Sequence, residues 1–289
     1  MTPRLHQLKI LGPNGFIPLA YAEWGPIEAA RTVVCVHGLT RNGRDFDALA
    51  MNLAGRGFRV VAPDLPGRGR SGWVGTPAAY GYPLYMAAAV ALIARLGTDS
   101  VLWVGTSLGG ILGMLLAGQA GTPIAGLVIN DVGPFIPREA LQRIAGYVGA
   151  DPRFEGFGEV EAYLRRIHAP FGNLTDAQWR HLAAHSAIPA EHGRLKLHYD
   201  PAIAVPFAAK ELGDAVMWPA WDEIDCPTLV LRGAQSDLLL PDTAHEMTRR
   251  GKAAQAGRVR LVEIPDCGHA PALMDEAQID LVAAFLEQA

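Results

Sequence analysis

Short apolar runs alternate with helix-length segments over most of the chain. In the first half, the runs typical of buried strands are residues 32–36, 58–62, 101–104 and 124–130. The segments predicted as helices between and after them are residues 45–53, 82–96 and 108–119. Near the carboxyl end the alternation resumes, with strands and helices predicted at residues 228–231, 241–250, 259–264 and 276–287. This alternation indicates βαβ units, and it predicts an α/β fold whose mostly parallel sheet is covered by helices on both faces.

A stretch of different character lies between these two halves. Residues 133–216 contain helical patches separated by Gly, Pro and Asn, without a convincing buried strand. We therefore predict a helical insertion on a core domain built from residues 1–132 and 217–289. At the amino end, residues 5–10 and 16–22 flank a Pro-Asn-Gly turn. That pattern predicts a β-hairpin forming an antiparallel edge of the sheet.

Charge and hydropathy exclude several classes of protein. The 289 residues carry a formal net charge of -4, with basic residues scattered along the chain, so we expect no nucleic acid partner. An apolar run long enough to cross a membrane and a secretory signal are both missing from the sequence, so we expect a soluble, cytoplasmic protein, monomeric or homodimeric, without a membrane partner. The three cysteines, Cys35, Cys226 and Cys267, are expected to be reduced and mostly buried thiols.

The segment Gly105-Thr106-Ser107-Leu108-Gly109 places a serine between glycines, directly after a predicted strand and directly before a predicted helix. A tight strand-to-helix turn of this kind needs small neighbours, and it exposes the central hydroxyl at the positive end of the helix. Ser107 is therefore the candidate nucleophile.

A serine hydroxyl needs a neighbouring base, and the base needs a group that fixes its tautomer. His269 lies in a Gly-containing loop after the predicted strand 259–264, and Asp237 lies in the loop after the predicted strand 228–231. We predict His269 as the base and Asp237 as the orienting acid. Asp131, at the end of the fourth predicted strand, remains an alternative for the acid.

An acyl-transfer transition state places negative charge on the carbonyl oxygen, which two backbone N–H groups must receive. One is predicted at Leu108, directly after the nucleophile. The other is assigned to Leu39, in the turn after the first buried strand. His37, which precedes this turn, is interpreted as a buried hydrogen-bonding residue rather than a second base.

Several motifs together give the chain a family resemblance. They are His37-Gly38, Asp64-Leu65-Pro66-Gly67-Arg68-Gly69-Arg70-Ser71, Gly105-Thr106-Ser107-Leu108-Gly109-Gly110, the Asp237 loop and Gly268-His269-Ala270-Pro271. The chain resembles the α/β-hydrolase family over nearly its whole length. The resemblance implies an eight-stranded sheet, a lid inserted after the sixth strand at residues 133–216, and no cofactor.

The resulting prediction is a serine hydrolase that cleaves a small to medium carboxylic ester through an acyl-enzyme. Lactone hydrolysis, carbon–carbon bond hydrolysis and cofactor-free perhydrolysis are alternatives on the same triad, and a non-catalytic ligand-binding protein is a further one. Trp73, Met114 and Phe135 are predicted as walls of the substrate pocket, between sheet and lid.

Two further patterns are predicted to carry no chemistry. His181 and His185 lie four residues apart on a predicted helix and could face one metal ion, but no acidic residue joins them at a comparable spacing. We expect a solvated helix face there, and no metal site. The segment 67–72 lacks the Gly-Lys-Ser/Thr ending of a phosphate loop and is predicted to be a surface turn.

Overall fold

The computed structural model describes residues 1–208 and 212–289 of the chain. The strands of these residues are β1 (Arg4–Gly12), β2 (Gly15–Trp24), β3 (Thr32–Val36), β4 (Arg59–Pro63), β5 (Val101–Thr106), β6 (Ile124–Asn130), β7 (Phe135–Ile136), β8 (Arg153–Phe154), β9 (Ala187–Pro189), β10 (Leu195–Leu197), β11 (Ala215–Val216), β12 (Thr228–Gly233) and β13 (Val259–Ile264). The α-helices are α1 (Asp47–Gly55), α2 (Tyr82–Leu96), α3 (Leu108–Ala117), α4 (Arg138–Ala145), α5 (Phe157–Ile167), α6 (Asp176–Ser186), α7 (Trp218–Asp222), α8 (Pro241–Met247), α9 (Lys252–Gln255) and α10 (Glu276–Gln288). Short 3-10 helices span Gly43–Phe46, Pro77–Ala79, Ala169–Phe171, Glu191–Gly193 and Pro201–Phe207.

Among the described residues, eight strands form one central sheet in the order β1-β2-β4-β3-β5-β6-β12-β13. The first two neighbouring pairs are antiparallel, and the pairs from β4 to β13 are parallel. The predicted mostly parallel sheet of eight strands and the predicted amino-terminal hairpin are therefore confirmed. Parallel strands bring the loops at their carboxyl ends to one edge of the sheet, which positions the site described below.

The sheet is buried on both faces because its strands are apolar at successive positions. In β3, Val34 and Val36 contribute to the core that contains α2 and α3, whereas Val33 and Cys35 contribute to the core beneath α1 and α10. All of these side chains are at most 1% exposed. Continuous apolar strands are typical of parallel sheets covered on both sides.

The segment between β6 and β12 has its own small sheets. Here α5 packs against α6, three short strands pair in the order β8-β10-β9, and β11 pairs with β7. The sequence, in which residues 133–216 show no convincing buried strand, therefore did not reveal these short strands. Strands of two or three residues are too short to give an apolar run that the sequence reveals. We refer to residues 133–216 as the insert.

The described cysteines agree with the expected free thiols: Cys35 and Cys267 are buried and Cys226 is partly buried. Burial raises the pKa of the Cys226 thiol to about 11, and it has the same effect at Cys267. Thiols protonated in this way are poor nucleophiles. Among the described helices, none combines the length and apolar character that crossing a membrane requires.

Helix α3 lies unusually close to the sheet. A Cβ atom added to Gly109 would lie 1.9 Å from the carbonyl oxygen of Val36, and one added to Gly105 would lie 2.2 Å from the carbonyl oxygen of Gly109. Trp103 Nε1 donates a hydrogen bond of 2.9 Å to this same Gly109 oxygen. Glycine is therefore required at both positions by backbone contact.

We predict that Gly109→Ala lowers the free energy of unfolding by about 3 kcal/mol or more, because backbone atoms must move to admit the methyl group. The matched control is Gly158→Ala in α5, where an added Cβ meets nothing within 4 Å. That change is expected to be neutral or to stabilise by up to about 1 kcal/mol. Urea denaturation of both variants measures the difference, and equal stabilities would contradict the close approach of α3.

Candidate active site

Ser107 occupies the sharp turn between β5 and α3. Its φ of 52° and ψ of -116° place it in a strained backbone conformation that non-glycine residues rarely adopt. Its N–H donates to the carbonyl of Asn130 at 3.0 Å, which fixes the turn to the end of β6. The hydroxyl consequently stands at the amino end of α3, as the sequence predicts.

Three side chains form a hydrogen-bonded series at this edge of the sheet. His269 Nε2 lies 2.9 Å from Ser107 Oγ, and His269 Nδ1 lies 2.7 Å from Asp131 Oδ2. If the imidazole is neutral with its proton on Nδ1, it donates to Asp131 and accepts the Ser107 proton on Nε2. This is the nucleophile, base and acid geometry of a serine hydrolase triad.

Asp131 is held from several sides. It is fully buried, and its φ of 56° is a left-handed conformation at the end of β6. Its Oδ1 accepts from the N–H of Gly233 at 2.7 Å, and its Oδ2 accepts from Ser236 Oγ at 2.6 Å. Because a buried carboxylate is costly unless its oxygens are hydrogen-bonded, these donors are what allow Asp131 to sit beside the imidazole.

The prediction of Asp237 as the partner of His269 is wrong. Asp237 is about half exposed, and its carboxylate pairs with the guanidinium of Arg143 on α4, with Oδ1 at 2.8 Å from Nη2. The residues on either side of it, Ser236 and Leu238, are buried, whereas the Asp237 carboxylate is turned outward. The alternative acid, Asp131, is the partner of His269. It can reach the same imidazole because β6 and β12 are adjacent strands and both end at this edge.

Both residues predicted for the oxyanion lie against the nucleophile. Leu39 and Leu108 border the same cavity as Ser107, and Leu108 is the first residue of α3. A Cβ added to Gly38 would lie 3.6 Å from Ser107 Cβ, so the turn that carries Leu39 runs directly past the serine.

The Arg68 side chain hydrogen-bonds to this turn. Its Nε donates to the carbonyl of Leu39 at 2.8 Å, and its Nη1 donates to the carbonyl of Pro66 and to the hydroxyl of Tyr85, both at 2.7 Å. Arg68 is completely buried, so the prediction that residues 67–72 form a surface turn is wrong. The sequence offered no signal for this burial, since a Gly-Arg-rich segment is usually exposed.

His37 is a buried hydrogen-bonding residue, as predicted. Its Nδ1 donates to the carbonyl of Gly38 at 2.7 Å, and its Nε2 accepts from the N–H of Leu65 at 2.9 Å. Burial lowers the pKa of His37 to about 3. The ring is therefore neutral at working pH, and its contacts set the shape of the Leu39 turn.

Two cavities meet at Ser107. One, of about 770 Å³ including its opening, is bordered by charged and aromatic residues, and we call it the polar chamber. The other, of about 970 Å³ also including its opening, is bordered mainly by aliphatic side chains such as Ile111, Val132 and Ile136, and we call it the apolar chamber. Leu39, Ser107 and Ile144 border both chambers.

Two arginines, each paired with an aspartate, and a neutral histidine border the polar chamber. Arg41 binds Asp45 through two hydrogen bonds of 2.7 and 2.8 Å, and Arg143 binds Asp237 as described. Burial lowers the pKa of His168 well below its usual range, and the nearby charges of Arg41 and His269 act in the same direction. A neutral His168 does not oppose a positive charge on His269.

None of the three predicted pocket walls borders either chamber. Trp73 is 43% exposed, with Lys196 Nζ 5.2 Å from its ring centroid. Met114 is fully buried in the core, because it lies two turns along α3 from Ser107, whereas Ile111 lies one turn away and faces the apolar chamber. Ile136 borders the apolar chamber and Phe135 does not, since successive residues of a strand face opposite sides.

The predicted solvated face of α6 is also wrong. His181 and His185 are half-buried and face the core domain, where His181 Nε2 lies 3.0 Å from the carbonyl oxygen of Arg44. Sequence spacing could not reveal this contact because Arg44 is distant along the chain.

The chain matches known proteins in sequence and in structure. A model of the alpha/beta hydrolase family matches residues 33–285. The chain is 46% identical to a 3-hydroxybutyrate-oligomer hydrolase from Cupriavidus necator, over 98% of each chain. It is 30% identical to a 2-(acetamidomethylene)succinate hydrolase from Mesorhizobium japonicum, over 70% of each chain.

A crystal structure of an alpha/beta hydrolase from Novosphingobium aromaticivorans superposes with a TM-score of 0.86 at 35% identity, covering 100% of this chain and 99% of that one. The matches in sequence and in structure thus extend over almost all of the residues that build the sheet and the Ser107 edge. They confirm the predicted family and the predicted enzyme class. The chain belongs to the alpha/beta hydrolase family and is a carboxylic ester hydrolase.

Proposed function

We propose that this protein hydrolyses short esters of hydroxy acids, of the 3-hydroxybutyrate oligomer type, with Ser107, His269 and Asp131 as the catalytic triad. The observation that carries the proposal is the unbroken series of hydrogen bonds from Ser107 through His269 to Asp131, placed where two chambers meet. The high identity to the 3-hydroxybutyrate-oligomer hydrolase over nearly the whole chain supports the choice of substrate.

In the proposed reaction, Ser107 Oγ attacks the ester carbonyl while His269 Nε2 takes its proton. Asp131 holds Nδ1–H and stabilises the imidazolium that forms. The N–H groups of Leu39 and Leu108 receive the oxyanion, the alcohol leaves with the proton from His269, and water then hydrolyses the acyl-enzyme by the same proton path.

We assign the insert the role of a lid over the core domain of residues 1–132 and 217–289. The support is that the insert supplies Arg143, Tyr147 and His168 to the polar chamber, whereas the core domain supplies Ser107. Removing the insert would therefore open the chamber to water.

The two chambers suit an oligomer of a short hydroxy acid. Such a chain has compact repeats with a methyl branch and ends in a carboxylate. The apolar chamber fits the uncharged repeats, and the guanidinium of Arg143 at the polar chamber fits the terminal carboxylate. In this arrangement the Asp237 carboxylate pairs with the Arg143 guanidinium while substrate is absent.

We expect Ser107→Ala to lower kcat by several powers of ten with an unchanged melting temperature, because the nucleophile is lost and the turn is kept. Hydrolysis of a p-nitrophenyl ester series and of 3-hydroxybutyrate trimer measures this loss. The control is Ser100→Ala, at an exposed position before β5, which should keep full activity. Near-normal hydrolysis by Ser107→Ala would remove the nucleophile assignment.

Exchange of the two aspartates separates their roles. Asp131→Asn should lower kcat by about three to four powers of ten, since an amide cannot hold the imidazole in the required tautomer in the same way. Asp237→Asn should change kcat on a neutral p-nitrophenyl ester by less than about fivefold, as the loss of an exposed ion pair costs little. Comparable losses in both variants, at comparable melting temperatures, would contradict the assignment of Asp131.

The role of Arg143 is tested with two substrates that share one scissile ester. The 3-hydroxybutyrate dimer carries a free carboxylate, and its N-methylamide does not. Arg143→Met should lower kcat/KM by about fivefold to tenfold for the acid and leave the amide nearly unchanged. Arg138→Met, on the same helix but paired with Glu139 at the surface, is the control. An equal loss on both substrates would contradict carboxylate recognition.

A further inference from the structure

Three potential metal ligands meet where the insert contacts the core domain. They are Asp47 at the start of α1 and the pair His181 and His185 on α6. One ligand atom from each lies within 4.8 Å of the other two. The group is separate from the triad, and the proposed hydrolysis does not use it.

The geometry is close to that of a bound ion. His181 and His185 are one helical turn apart with ring centroids separated by 4.4 Å, and paired histidines at this spacing are a known way to bind zinc. Asp47 Oδ2 already lies 3.6 Å from His181 Nε2. Ligand atoms at about 2.0–2.1 Å from a tetrahedral zinc are separated by about 3.4 Å, so the Asp47 and His181 atoms already lie near the separation that zinc requires.

The protonation of His185 also suits a ligand. Its Nδ1 donates to the carbonyl of His181 at 2.9 Å, which leaves Nε2 with a free lone pair. A metal ion can therefore bind Nε2 without breaking the Nδ1 hydrogen bond.

Two contacts oppose or modulate binding. His181 Nε2 must give up its contact with the carbonyl of Arg44, and the Arg44 guanidinium, which pairs with Asp47, repels a cation. The same guanidinium also orients the carboxylate, as hydrogen-bonded groups around a metal site commonly do. We therefore expect moderate affinity rather than that of a closed four-ligand structural site.

We propose that Asp47, His181 and His185 form a binding site for a divalent transition metal ion. Two imidazoles and one carboxylate favour Zn²⁺, Ni²⁺ or Cu²⁺ over Mg²⁺ or Ca²⁺, and water completes the coordination. The ion links α6 of the insert to the segment 41–47 of the core domain. Arg41 and Asp45 of that segment border the polar chamber. The metal therefore connects this side of the chamber to the insert.

The test is calorimetric titration of the metal-free protein with Zn²⁺. We expect one zinc ion per chain at this site, with at least tenfold weaker binding in His185→Gln and in Asp47→Asn. His192→Gln, which changes an exposed histidine of the insert, is the matched control and should leave the affinity unchanged. The titration is repeated with His269→Gln, because the active-site imidazole can also bind zinc. The zinc binding that is lost in His185→Gln must still be present in His269→Gln.

A second measurement does not depend on activity. Zn²⁺ should raise the melting temperature of the wild type and of His192→Gln by more than that of His185→Gln, because a ligand that binds only the folded state stabilises it more when it binds more tightly. If either ligand variant folds poorly without metal, the other, or His181→Gln, supplies the comparison. Zinc affinity that is the same in the wild type and in the folded ligand variants would overturn the proposal, as would the absence of binding to the wild type.

Discussion

The position of Asp131 is the constraint on which the site depends. Its buried carboxylate accepts hydrogen bonds from Gly233 at the end of β12, from Ser236 in the loop that follows, and from the His269 imidazole. These contacts join the ends of β6 and β12 to the loop after β13, and the N–H of Ser107 is bonded to Asn130, the residue before Asp131. One side chain therefore connects the loops that converge at the Ser107 edge of the sheet.

The same edge shows how local strain is retained by its surroundings. Ser107 and Asp131 both have positive φ, and they end the adjacent strands β5 and β6. Positive φ at a residue other than glycine costs free energy and persists only when neighbouring contacts enforce it. Here the close approach of α3 to β3 at Gly109 and the hydrogen bonds of Asp131 provide that enforcement.

The sheet, Ser107 and His269 could be predicted because each depends on an apolar strand followed by a Gly-containing turn. The acid could not be chosen in this way, since Asp131 and Asp237 both follow strands that end at the same edge. The choice depends on the path of the loop after β12. In this loop Arg232 Nε donates a hydrogen bond of 2.8 Å to the carbonyl of Leu239, and the Asp237 side chain points away from His269. Pocket walls such as Ile111 instead of Met114 depend on how far the cavity extends along α3, which one sequence does not define.

The proposed acyl transfer requires Ser107 and the amides of Leu39 and Leu108 to form one site. The most direct measurement is a crystal structure of the protein after reaction with an alkyl phosphonate ester, whose phosphoryl oxygen mimics the oxyanion. We expect phosphorus bonded to Ser107 Oγ and the phosphoryl oxygen at about 2.7–3.1 Å from both amide nitrogens. Phosphorus bonded to another residue, or an oxygen directed away from both amides, would show that these groups do not form one site.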